Sequence, residues 1–382
     1  WVLPVLYTAV PESSLFRPTK KQKVRPMTWS PMAMPAHQEE LFVNHEREIE
    51  IVRVAVFDAM RRKPDRMRAV TFYGERGSGK TWLIRHLGQY IFSDRSFEDV
   101  SVLSLFLAPP AAELKIDVDN SCWFVTKETP QTPQDFVDAA LTWVCRQWGL
   151  LHTPDPTAAE MTYWLGRDLP RRAESTFVLL VDSVFEASRD WLPLLEDHLL
   201  APLAGLENGV VIMTGRGAPF PWRSVPLRNA HREEVLTPFS PIGVTEQLER
   251  SNLNADPERV AYIVKLGGGY PLNSYVLAQS DPPESGLDRL LDVLLEFVNS
   301  DQQLQTREAL EALCVLDRFR EREISSLLAF YRICLDRTED AQRATTEEAR
   351  RVRDILLDNY LVRWEDDGYL INDSVRIAYR SY

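Results

Sequence analysis

Cysteine is scarce in this 382-residue chain. Its four residues, Cys122, Cys145, Cys314 and Cys334, stand far apart and at no metal-ligand spacing. That disfavours a zinc module, and the four read as small buried hydrophobes of a reducing cytoplasm. No run of about 18 apolar residues occurs, so no membrane span is expected. An excess of basic residues is also missing: 44 Lys and Arg face 56 Asp and Glu, a net charge of −12. A nucleic-acid or anionic-membrane binder, whose affinity comes largely from neutralising phosphates, is disfavoured. The opening Trp1–Val10 is apolar but lacks a basic lead. It reads as a strand, not a secretory signal, and suits the tail of an upstream domain. No repeat of 20 to 50 residues is visible.

With 45% hydrophobic residues, the chain can bury cores for two or three domains. Residues 11–38 carry prolines at 11, 18, 26, 31 and 35 and the basic cluster Lys20, Lys21, Lys23, and read as a solvated linker. Between 39 and 220, strand-like and helix-like patterns alternate. Ile49, Val52, Val56 and Met60 give a helix over 46–61; Ala69–Tyr73 and Val100–Leu107 read as strands, and Trp82–Ile91 as a helix. Thr132 caps a helix with Pro133 at its first position and Asp135 near its positive end. Phe177–Val181 and Val210–Thr214 are continuous apolar runs, the mark of parallel strands buried on both faces. This predicts a three-layer α/β domain over 39–220. Residues 221–300 read as a helical domain, broken at Gly267–Pro271. Residues 301–382 read as three helices and a hairpin turning at Asp366-Asp367-Gly368, a winged-helix outline.

Gly74-Glu-Arg-Gly77-Ser78-Gly79-Lys80-Thr81 fits G-x-x-x-x-G-K-[ST], with a strand before it and a helix opening at Trp82 after it. The glycines let backbone N–H groups turn inward around a β-phosphate, and the helix N-terminus adds a positive dipole. Lys80 is expected to reach the β- and γ-oxygens of ATP or ADP, and Thr81 to ligate Mg²⁺. The second metal partner is expected at Asp182, delivered by an apolar strand at its C-terminal end. A second acid that would polarise water is missing, because Ser183 follows Asp182. Glu186 is the substitute base or else an ordinary surface acid, so slow hydrolysis is expected.

Four further segments occur in an order that resembles the STAND signal-transduction NTPases, the class of the NB-ARC and NACHT domains. Phe42-Val43-Asn44-His45-Glu46-Arg47-Glu48 is similar to F-V-G-R-E-x-E, with Asn44 and His45 replacing Gly and Arg. Val211-Ile-Met-Thr214-Gly-Arg216 resembles hhhT-T-R, Gly268-Gly-Tyr-Pro271-Leu272 resembles G-L-P-L, and Tyr369–Arg376 parallels the M-H-D region. The resemblance implies a P-loop domain followed by a helical lid and a winged helix. It also implies that Phe42 and Val43 lie beside adenine, that Arg216 senses the γ-phosphate, and that Pro271 touches the nucleotide. Asn372 takes the place of the histidine that contacts the ADP β-phosphate.

The implied function is a switch: closed with ADP, exchanging to ATP, then self-associating, with an upstream effector and a downstream sensor domain or partner. ATP dependence and the lack of targeting signals point to the cytoplasm. A rival reading is an AAA+-like initiator whose winged helix binds DNA through the helix Thr345–Asn359, capped by Thr345 and Glu348 and carrying Arg350, Arg351 and Arg353. DNA is nevertheless an unlikely partner. Residues 301–382 hold 13 Arg and no Lys against 17 acids, and Glu347, Asp354 and Asp358 interrupt that helix's basic face. A constitutive motor is disfavoured by Ser183.

Overall fold

The computed structural model describes residues 42–88, 95–107, 123–124, 132–172, 175–185, 191–217, 221–296, 298–335, 346–365 and 367–382. The strand 1–10, the linker 11–38, Cys122, Glu186 and Thr345 lie outside the described residues.

The first half of the chain builds a parallel sheet. Its strands are β1 (Ala69–Gly74), β2 (Val100–Phe106), β3 (Trp123–Phe124), β4 (Thr176–Asp182), β5 (Gly209–Arg216) and β6 (His231–Val235), in the order β3-β2-β4-β5-β1-β6. The two apolar runs become β4 and β5, buried along almost their whole length. Their residues alternate between two cores, as the strand period requires. Val70, Phe72, Val178, Leu180, Val210 and Ile212 pack under α1 (Glu46–Met60) and α2 (Lys80–His86). Leu179, Val181, Val211 and Met213 face α3 (Pro133–Gln147) and α4 (Ala158–Asp168) on the other side. Helix α3 starts as expected: Thr132 Oγ1 accepts from Asp135 N, Asp135 accepts from Thr132 N, and Pro133 follows the cap. Helices α5 (Trp191–Leu195) and α6 (Ala201–Gly205), joined by a π-helical turn, complete that layer.

The sheet runs past the expected boundary at 220. After the short α7 (Val225–Asn229), β6 pairs with β1 at one edge, and Leu236 joins the α1–α2 core. His-Arg-Glu-Glu-Val shows no apolar alternation because an edge strand is only half covered.

From residue 239 onward the chain builds a second body. Helices α8 (Pro241–Arg250), α9 (Pro257–Gly267), α10 (Pro271–Ala278) and α11 (Leu287–Leu295) form the lid. Helices α12 (Ser300–Leu313), α13 (Glu321–Cys334) and α14 (Thr346–Asp358), the antiparallel hairpin β7 (Val362–Glu365) and β8 (Gly368–Ile371), and α15 (Asp373–Ser381) form the winged helix. One apolar cluster runs through both, from Val244 and Leu266 to Leu313, Val375 and Tyr379. The lid and winged helix therefore share a core, which stays separate from the two cores flanking the sheet. Cys145 and Cys314 are buried, and burial pushes their thiols up to about 12 and about 11; Cys334, at the end of α13, is exposed. Among the described residues no helix is long and apolar enough to cross a membrane.

Candidate functional site

The C-terminal ends of β1, β4 and β5 converge on the glycine-rich loop. Gly77 (φ 80°) and Gly79 (φ 95°) take left-handed backbone, and Gly79 is the N-cap of α2. A Cβ on Gly77 would also stand 2.9 Å from Leu272 Cβ of the lid, so glycine is required there twice over. Lys80 is buried and folded into the loop, where its Nζ donates to Gly74 O (2.9 Å), Glu75 O (2.5 Å) and Ser78 Oγ (3.2 Å). These neutral acceptors are ones that an anionic phosphate oxygen outcompetes.

Asp182 ends β4, almost fully buried. Its Oδ1 accepts from Ser183 N at 2.9 Å and from the Thr214 hydroxyl on β5. Its Oδ2 is buried without a hydrogen-bond partner. Both donors pull on one oxygen, which fixes the carboxylate and leaves the other free. A buried carboxylate oxygen left in this way is costly unless a cation or its water shell meets it. Asp182 Oδ2 and the Thr81 hydroxyl would together be an all-oxygen donor set, the kind that suits Mg²⁺. Ser183 pays in backbone strain for this placement, at φ 62°. Arg85, one turn beyond Thr81, is half-buried; burial lowers its pKa, and the Asp182 carboxylate opposes that shift.

Arg216 closes β5 on the lid side of the loop, within electrostatic reach of Arg76. Arg76 is enclosed between loop and lid: its Nη2 donates to Val293 O at 2.6 Å, near the C-terminal end of α11. Burial first, and Arg216 second, hold its guanidinium well below the usual arginine range.

On the opposite side, Phe42 and Val43 are buried, and Phe42 stacks on His86 with ring centroids 3.8 Å apart. Burial, then His45, lowers the His86 pKa to about 4. Asn44 (φ 57°) and His45 (φ 73°) take the left-handed turn that the family pattern opens with glycine; Asn adopts it more readily than most residues. Arg250 of α8 donates to Phe42 O. Trp82 packs at the margin of the α1–α2 core. Pro271 is the first residue of α10; its carbonyl accepts from Gln247 Nε2 (2.8 Å), and its ring lies 4.0 Å from where a Gly79 Cβ would stand.

The second body rests directly on the loop. Leu272 N donates to Gly77 O at 3.2 Å. Glu75 Oε2 accepts from Tyr270 Oη (3.0 Å) and Ser374 N (2.7 Å), and its Oε1 accepts from Arg363 Nη1 (2.9 Å). Tyr360 Oη donates to Phe185 O, beyond Asp182. Asn372 caps α15 next to these contacts, but its Nδ2 donates to Tyr360 O at 2.6 Å, so its amide is engaged within the winged helix.

The sequence-predicted residues Gly74, Gly77, Ser78, Gly79, Lys80, Thr81, Asp182, Arg216 and Pro271 thus gather around one loop, with Phe42 and Val43 at its flank. Glu75, Arg76, Thr214, Tyr270, Arg363 and Ser374 join them without any functional signal of their own in the sequence. Glu75 and Arg76 occupy positions that the loop signature leaves free, and their partners lie up to 299 residues away.

Comparison of the whole chain with solved structures finds the Walker-type ATPase of Pyrococcus abyssi at a TM-score of 0.54 and 16% identity, covering 91% of this chain and 98% of that one. The fold is that of a P-loop NTPase. The STAND protein with a tetratricopeptide-repeat sensor from Pyrococcus horikoshii aligns with a TM-score of 0.38 and 16% identity, over 91% of this chain and 44% of that one. The ORC1 protein of Aeropyrum pernix, solved in complex with DNA, aligns with a TM-score of 0.45 and 17% identity, over 88% and 92%. These last two likenesses are too loose to choose a branch. No protein-family model and no curated protein matches the chain in sequence.

Proposed function

We propose that this P-loop NTPase is a slow, ADP/ATP-operated switch of the STAND class, not a metabolic enzyme or a motor. The observation that carries the reading is the contact of lid and winged helix with the phosphate loop itself, through Leu272 N on Gly77 O and the Glu75 carboxylate. A nucleotide that reshapes this loop acts directly on the body above it. The apolar cores lie inside each body, where a fully buried Leu or Phe contributes about 1.5–3 kcal/mol. The contacts of Gly77 O and Glu75 with the second body are hydrogen bonds and one ion pair, each contributing about 0.5–3 kcal/mol, so separating the bodies costs less than unfolding either.

Lys80 and the loop amides bind the β-phosphate. Thr81 and Asp182 would hold Mg²⁺, which when bound supplies charge neutralisation for the phosphates. Phe42 and Val43 flank the base, Pro271 covers the nucleotide, Arg216 reads the γ-phosphate, and Glu186 serves as the base for slow hydrolysis. A charged hydrogen bond from Arg216 contributes about 1.5–3 kcal/mol. Moving a switch from 1:99 to 99:1 takes about 5.5 kcal/mol. The remainder comes from self-association or a partner. Light scattering tests this: a monomer with ADP and larger assemblies with a slowly hydrolysed ATP analogue are expected, while stable oligomers with ADP alone would sink the reading.

The DNA-loader alternative ranks second in this reading, because two of the three arginines of α14 are engaged by nearby acids. Arg350 and Arg353 both bind Glu321 (2.9 and 2.6 Å), and Arg353 also binds Asp354 (2.6 Å). A gel shift that weakens steeply with salt would favour DNA instead.

A further inference from the structure

The side chains of Glu75 and Arg76 are spare as far as phosphate binding goes, since the loop cradles phosphate with backbone amides and Lys80. We propose that they form a clasp by which the loop itself holds the second body closed, without any nucleotide. This deepens the switch reading and rests on it for its biological meaning, but not for its test.

Two helices of the second body meet the loop end-on, with opposite polarity. Helix α15 brings its N-terminus, and Ser374 N, its second N–H, is bonded to Glu75 Oε2. Helix α11 brings its C-terminus, and Val293 O takes the Arg76 guanidinium. An acid at the positive end of one helix and a base at the negative end of the other is the favourable pairing in both cases. Neighbouring residues thus reach the lid and the winged helix at once. The Glu75 carboxylate is further engaged by Arg363 of β7 and by Tyr270, the N-cap of α10. Burial opposes the charge on Arg363, but Glu75 raises its pKa overall. Burial, then Glu75, raises the Tyr270 phenol, which keeps it a neutral donor.

The clasp is coupled to the phosphate site through the backbone that carries it. Lys80 Nζ bonds the carbonyls of Gly74 and Glu75, and Gly77 O bonds the lid. Drawing Lys80 onto a phosphate removes donors from the backbone on which Glu75 sits. Asn372, with its amide on Tyr360 O, is left out of this clasp.

The test uses the full chain stripped of nucleotide, with small-angle scattering for compactness and hydrogen exchange of the Ser374 amide. The unaltered chain is expected to be compact and protected there. Glu75→Ala should enlarge the radius of gyration and speed Ser374 exchange by roughly tenfold or more. Arg363→Ala, outside the loop, should give a smaller shift in the same direction. Circular dichroism checks that each variant is folded. If folded Glu75→Ala and Arg363→Ala both stay compact and protected, the clasp is wrong, whatever the nucleotide does. If Glu75→Ala opens while the unaltered chain responds identically to ADP and an ATP analogue, the clasp stands and the switch reading fails.

Discussion

Thr214→Val removes a single hydroxyl from the site and keeps the shape of the side chain. Thr214 and Asp182 are both essentially inaccessible to solvent, and the hydroxyl is one of two donors to Asp182 Oδ1. A hydrogen bond to a charged group contributes about 1.5–3 kcal/mol, and here no water enters to replace it. The domain carrying it spans nearly 200 residues, for which each 1 kcal/mol moves the midpoint by about 2–4 °C. The variant should therefore unfold about 3–12 °C lower in differential scanning calorimetry, in the transition of the P-loop domain. A second consequence separates positioning from mere stability. With only Ser183 N left on Oδ1, the carboxylate rotates more freely, so more Mg²⁺ should be needed for tight binding of a fluorescent ADP analogue. Thr214→Ser, which keeps the donor, should recover most of the Mg²⁺ response. An unchanged midpoint together with an unchanged Mg²⁺ titration would refute the assignment of Thr214 as the group that orients Asp182.

Arg332 sits almost fully buried between Glu308 and Glu348, with four hydrogen bonds of 2.7–3.1 Å. Arg332→Ala leaves two carboxylates facing each other and should destabilise the winged helix by about 3–5 kcal/mol, measured by urea unfolding. Acid should weaken the P-loop domain through two histidines. Burial lowers the pKa of both His231 and His86 to about 4 in the folded chain, against about 6.5 when unfolded. The unfolded chain then binds more protons between pH 6.5 and 4, so their contribution is complete above 6.5 and is lost as the pH falls through that window. Thermal melts across this range should fall, and His231→Gln should flatten part of the slope; a flat wild-type profile would contradict the burial of both rings.

How much of this was legible in the sequence depends on whether a signal is local. The phosphate loop announces itself because each of its fixed positions answers a backbone or charge requirement. Strands β4 and β5 were visible because strands covered on both faces are apolar throughout. The N-cap at Thr132 is legible from Thr-Pro-Gln-Asp, while the reciprocal bonds that make it a capping box, like those of Thr157 and Glu160, emerge only in the structure. Strand β6 was invisible, since His231, Arg232, Glu233 and Glu234 line an edge and carry no alternation. The placement of Asn372 went unseen for a different reason. A family motif gives the position of a residue, but the rotamer is decided by the nearest acceptor, here Tyr360 O. The contacts of Glu75 with Arg363 and Ser374 join residues nearly 300 apart. No periodicity or motif encodes such a pair, and the packing of the second body on the loop brings it together.

The most direct test of the central claim is the identity of the nucleotide that leaves with the protein. Purified chain would be denatured and its supernatant resolved by ion-exchange chromatography, with Lys80→Ala as the binding-deficient control. Near-stoichiometric ADP in the unaltered chain, and none in the control, is the result expected of a closed switch that traps its product. No retained nucleotide, combined with ATP turnover near or above about 1 per second, would contradict it and point to a motor or loader.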